Sequence, residues 1–146
     1  MEAFILGLIG TVLSVASLTW QVFTWRASGA RLHVEYSWGY PTGDGGQLIE
    51  LRGITVTNKG RASTIVSSVT SRLPNGKHLP LVADALDQVT FPREIRPGES
   101  FTAYYEPDAI EITLRRVGLP LSTNLTPQAS TGHGDVRGKS VPAQPR

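Results

Sequence analysis

Residues Ala3 to Trp25, AFILGLIGTVLSVASLTWQVFTW, carry no charged side chain, and charge returns only at Arg26. A helix rises about 1.5 Å per residue, so a hydrocarbon core about 30 Å thick is crossed in about 20 residues. The run meets that length. Trp20 and Trp25 fall near one end, where amphipathic rings favour the lipid–water interface. A transmembrane helix over residues 1–26 accounts best for these features. Two readings compete with it. A secretory signal peptide would find a cleavage site in ASGA, Ala27 to Ala30, but Met1-Glu2 supplies no basic side chain and the apolar run is long for a signal. A helix buried in an assembly would suit Thr11, Ser14, Ser17, Thr19 and Gln21, which make the run only moderately apolar.

Small and polar residues are not scattered along this helix. Ala3, Gly7, Gly10, Ser14, Ser17, Gln21 and Thr24 follow one another at spacings of four, three, four, three, four and three. That is a stripe down one face with a period of 3.5, the pattern of a left-handed helix crossing. Small residues let two helices approach closely in lipid, and Gln21 can hydrogen-bond its counterpart. The expectation is a homo-oligomer formed through this stripe. Trp20, Trp25 and Arg26 are expected to anchor the helix at the interface. Arg26 and Arg31 flank its C-terminal end, so the positive-inside rule places the C-terminal domain in the cytoplasm.

Composition narrows the chemistry. The chain has no cysteine, which removes disulfides, thiolate catalysis and cysteine-based metal sites and suits a reducing compartment. Its 14 Lys and Arg against 12 Asp and Glu give a formal charge of +2, and the cations form no block. No nucleic-acid partner is expected from so small an excess. Residues 27–31 read as a linker, and roughly 90 residues, 32–121, remain for one modest core.

From Leu32 the pattern alternates, as in half-buried strands. LHVEYSWGY sets Leu32, Val34, Tyr36, Trp38 and Tyr40 on the inner face. PTGDGG, Pro41 to Gly46, is a loop by composition. In QLIELRGITVTN, Ile49 and Leu51 lie in one phase and Ile54 and Val56 in the other, which predicts a bulge at Arg52–Gly53. ASTIVSSVTSRL places Ile65, Val69 and Leu73 inward, and Asn75–Gly76 predicts a hairpin turn. A strand-like piece is expected around Val89 and Phe91, a turn at RPGES, and a strand with Phe101, Ala103 and Tyr105 inward. EPDAIEITLRRVG predicts a short helix with Pro107 in its first position, Ile110, Leu114 and Val117 inward, and Gly118 at its end. Residues 122–146 read as weak closing strands, near 121–125 and 135–141, or a disordered polar tail. The fold expected is mainly β: a transmembrane-type helix, then an antiparallel immunoglobulin-like β-sandwich with one short helix.

The order SLTWQVFTW, RLHVEYSWG, ITVTNKGRASTIVSSVTSRLPNGKHLPL and IRPGESFTAYYE resembles a group of small, functionally unassigned proteins of actinobacteria and their phages. The similarity extends to about Gly118 and rests on the VTNKGR turn and the PNG hairpin. It implies a fold and a host, and no chemistry.

No catalytic, cofactor or metal constellation is visible. His33, His78 and His133 have no second ligand at metal-binding spacing, and STGHGD places its Ser and His on one short loop. Glu106, Asp108 and Glu111 surround the predicted helix start, where acids complement the helix dipole. The chain therefore reads as a non-enzymatic, membrane-anchored protein-interaction module of a bacterial or prophage system, with lipid, a second copy and an unknown protein as partners. The alternative is a virion structural or decoration protein whose helix packs in an assembly.

Overall fold

A computed structural model describes residues 1–40, 50–81 and 84–143. The PTGDGG segment and Ile49 lie outside the described residues. Helix α1 (Glu2–Ala27) comes first, and α2 (Ala109–Arg116) is short. The strands are β1 (Leu32–Gly39), β2 (Leu51–Asn58), β3 (Thr64–Arg72), β4 (His78–Pro80), β5 (Arg93–Ile95), β6 (Ser100–Tyr104), β7 (Asn124–Thr131), β8 (Gly134–Arg137) and β9 (Val141–Pro142). They form two antiparallel sheets. One has the order β1–β2–β6; the other runs β4–β3–β7–β8, with β5 also on β3 and β9 on β7.

The two sheets and α2 share one core. Val34, Ile54, Val56, Phe101 and Ala103 come from the first sheet; Val66, Val69, Leu79, Ile95, Leu125 and Ala129 come from the second. Leu114 of α2 is fully buried among them. The amphipathic spacing of Ile110, Leu114 and Val117 lays α2 on this core, while Ile112 faces solvent. Glu111 in its first turn and Arg115 and Arg116 in its last complement the helix dipole. Ala109, not Pro107, takes the first helical position, with Asp108 as N-cap, and Gly118 supplies the positive φ that ends the helix.

Several inward assignments change. β2 pairs with β1 and β6 in unbroken register, so no bulge falls at Arg52–Gly53. Gly53 interrupts the alternation because a Cβ there would stand 2.8 Å from the Tyr104 ring, which lies across it. The register shift is in β3, between Val66 and Ser68 opposite β7. One inserted residue reverses the phase. Thr64 and Val66 are buried before it and Val69, Ser71 and Leu73 after it, so Ile65 points outward. Trp38 and Tyr40 are also exposed, because the inner face of β1 runs out after Tyr36. Val89 and Phe91 lie in a connection, and the strand that follows is β5. β7 occupies the centre of its sheet, with Leu125, Gln128 and Ala129 buried.

The segment after α1 is tied to the turn that follows β2. Lys59 N donates to the Arg31 carbonyl at 2.8 Å and Arg61 N to that of Gly29 at 3.2 Å. Gly60 makes this approach feasible: a Cβ there would lie 2.4 Å from both Arg31 N and the Gly29 oxygen. Asn58, fully buried, completes the joint. Its Oδ1 accepts from Arg31 N and Gly60 N, and its Nδ2 donates to the carbonyls of Ala62 and Ile95.

Candidate functional site

At the end of the β-domain remote from α1, β1 and β2 terminate beside the start of α2 and enclose a cavity of about 320 Å³. Arg52 and Trp38 form part of its wall, with Leu51, Tyr105, Ile110 and Leu121; Glu50, Glu106, Asp108 and Glu111 also line it. Arg52 is 7% exposed although it carries a guanidinium. Its Nη2 donates to the Pro142 carbonyl at 2.6 Å and its Nη1 to that of Ala143. Its carbon Cζ lies 4.4 Å from the Trp38 ring centre and 5.0 Å from that of Tyr36, distances at which a cation is attracted to an aromatic face. Nε has no partner. Burial pulls the Arg52 guanidinium below its usual pKa, opposed by Tyr36, Glu50 and Tyr105. Four carboxylates against one guanidinium make the lining net negative, with Glu111 held 2.5 Å from Arg115.

Beneath the cavity a hydroxyl chain links the two sheets. Tyr36 donates to Ser71 Oγ, which is 2.8 Å from the Tyr105 hydroxyl, and Tyr105 donates to the Leu79 carbonyl at 3.1 Å. Burial pushes the Tyr36 phenol up to about 12, with the Ser71 hydrogen bond and the Arg52 charge opposing it; Tyr105 is also pushed up by burial. A tyrosine of the unfolded chain ionises near pH 10. A raised folded pKa means that the stabilisation is complete below pH 10 and is lost as pH climbs through 12. Denaturant titrations across that range should show a steady loss of stability, reduced in Tyr36→Phe. Constant stability up to pH 12 would contradict the coupling.

The sequence-expected residues fall elsewhere. Gly7, Gly10, Ser14, Ser17, Gln21 and Thr24 lie on α1 and are exposed, as are Trp20 and Trp25. Ala3 and Arg26 belong to α1, but their side chains lie outside the described residues. The hydroxyls of Thr11, Ser14, Thr19 and Thr24 donate to carbonyls one turn back at 2.8–2.9 Å, and Gln21 Nε2 donates to Ser17 Oγ at 3.2 Å. Polar groups satisfied in this way lower the cost of an apolar surrounding. His33 pairs with Glu35 on the exposed face of β1, while His78 and His133 stand exposed and apart. Asp84 is buried: its carboxylate accepts from the backbone N–H groups of Tyr104, Gln88 and Val89, fixing the loop to β6. Among the described residues no group of three or more His, Asp or Glu is placed to hold a metal.

Sequence reasoning missed Arg52 and Trp38 as a pair. The available signal was phase: Arg52, Ile54, Val56 and Asn58 alternate on one face of β2, so both polar residues share the core-facing phase. Neither the protein-family models nor the curated protein sequences contain a match to this chain.

Proposed function

We propose that this chain is a single-pass membrane protein whose β-domain acts as a non-enzymatic interaction module on the cytoplasmic side. The observation that carries the reading is the helix segment Phe4–Trp25: it is long and apolar enough to cross a bilayer, and none of it is buried against the rest of the protein. So large an unpartnered apolar surface calls for lipid or another helix. The stripe from Ala3 to Thr24 supplies a seam for a second copy. The β-domain belongs in this reading to the immunoglobulin-like class, supported by two antiparallel sheets of order β1–β2–β6 and β4–β3–β7–β8. Its partner site is the net-negative cavity beside Arg52 and Trp38, which suits a basic side chain with an apolar stem. A bacterial or prophage setting follows from the sequence resemblance alone.

Two outcomes test the reading together. The full chain should remain in the membrane pellet after alkaline carbonate extraction, uncleaved after α1, and should crosslink as a dimer. Gly10→Leu and Ser14→Leu should abolish the crosslink while leaving the pellet fraction unchanged, since added bulk separates helices that pack through small residues. Release of an uncleaved chain into the supernatant would favour a helix packed in a soluble or virion assembly, and a chain shortened after α1 would identify a signal sequence.

A further inference from the structure

We propose that the helix-proximal end of the β-domain is a docking face for an anionic lipid surface. The proposal rests on the membrane-anchored reading and gives the domain itself a second, lipid partner. Arg31, the Lys59–Arg61 pair and Arg96 come from three separate stretches of sequence and are all exposed, and the fold gathers them at one end. The hydrogen bonds of the joint place them there. Lys59 N and Arg61 N bond the carbonyls of Arg31 and Gly29, and Asn58 bonds the carbonyl of Ile95, the residue before Arg96. Three acids share this end among the described residues, one of them the exposed Glu94, opposite Ile65 and two positions before Arg96. Glu99 accepts a hydrogen bond from Arg96 N at 2.9 Å, and Asp135, beside Ala30 and Leu32, accepts one from the Ser130 hydroxyl at 2.7 Å. Four cations against three acids leave the end basic by one charge, whereas the opposite end carries Glu50, Glu106, Asp108 and Glu111 around the cavity.

The occupant follows from continuity. The chain entering this end is the apolar helix, so the bilayer surface lies only a few residues from Arg31. Gly60 brings its turn against Gly29 and Arg31, so Lys59 and Arg61 are held at the level of the helix end instead of at the far end of the domain. Attraction between cations and an anionic leaflet fades over about 8 Å at physiological salt, so the cations of the helix-proximal end are the ones of this domain placed to feel it. A basic end held at the membrane also agrees with a cytoplasmic domain, because the cytoplasmic leaflet carries the anionic lipid.

The test uses the full chain reconstituted into phosphatidylcholine vesicles with and without phosphatidylserine. Spin-labelled versions of the two lipids report how much of each is held at the protein. A preference for phosphatidylserine of about fivefold is expected at low salt, the factor that one effective cation contributes. It should fall towards parity in high salt and in the quadruple variant R31Q/K59Q/R61Q/R96Q, whose folding is checked by its circular dichroism. Equal retention of the two lipids, or an undiminished preference in the folded variant, would overturn the docking face and leave the cations to an acidic protein. Absence of any protein-held lipid would overturn the anchor and the docking face together.

Discussion

Replacing Asn58 by leucine is expected to destabilise the β-domain by about 4 kcal/mol and to lower its thermal midpoint by about 15 °C. Leucine keeps the branched outline of asparagine with bulkier methyl groups, so some overpacking adds to the loss of the amide. Four backbone groups lose their partner at once: the N–H groups of Arg31 and Gly60 and the carbonyls of Ala62 and Ile95. The side chain is fully buried, so water does not readily replace it. These groups belong to the segment after α1, the turn following β2 and the end of β5. Loss of the amide should therefore loosen the joint as well as the fold. Denaturation of the full chain in detergent, with hydrogen exchange at Lys59 and Arg61, measures both. A change below about 1 kcal/mol would show that the joint does not depend on this network.

Arg52→Met should cost about 3 kcal/mol, acting on the other end of the same strand. Methionine preserves much of the apolar stem but removes both hydrogen bonds to the carbonyls of Pro142 and Ala143 and the contact with Trp38. β9 pairs with β7 only at Asn124 and Leu125. With its clamp removed, the C-terminal segment should become the first site of limited proteolysis while the core stays protected. Arg52→Lys should recover little, because a single ammonium cannot bridge two carbonyls in the geometry of the planar guanidinium. Wild-type protease resistance of residues 138–143 in Arg52→Met would remove the clamp from this account.

The parts of the fold legible in sequence are those with a strict period or a constrained turn. Val34 and Tyr36, Ile54 and Val56, and Phe101, Ala103 and Tyr105 alternate as the strands require, with Trp38 and Tyr40 failing only where the sheet ends. Asn75–Gly76 and Pro97–Gly98 mark turns in which both glycines have positive φ. Other features depend on contacts distant in sequence. The phase reversal in β3 is set by its pairing with β7, more than fifty positions later, and nothing local distinguishes Ser67 from its neighbours. β7 itself reads as polar tail because it carries Thr126, Pro127, Gln128 and Ser130. Its backbone is satisfied by β3 on one side and β8 on the other, so the middle of the sheet needs few aliphatic side chains there. The cavity was hidden for a related reason. Three of its four carboxylates, Glu106, Asp108 and Glu111, have a sufficient local explanation as acids at a helix start, and only the fold brings Glu50, Trp38 and Arg52 against them.

The absence of native cysteines makes one topology measurement decisive. A single cysteine in place of Lys77, exposed in the turn between β3 and β4, would be treated in intact expressing cells with a membrane-impermeant maleimide. The account predicts protein in the membrane fraction that is labelled only after permeabilisation, with the β-domain and its basic end on the cytoplasmic side. Labelling in intact cells would place the domain outside and contradict that orientation; protein recovered free of membranes would contradict the anchor itself.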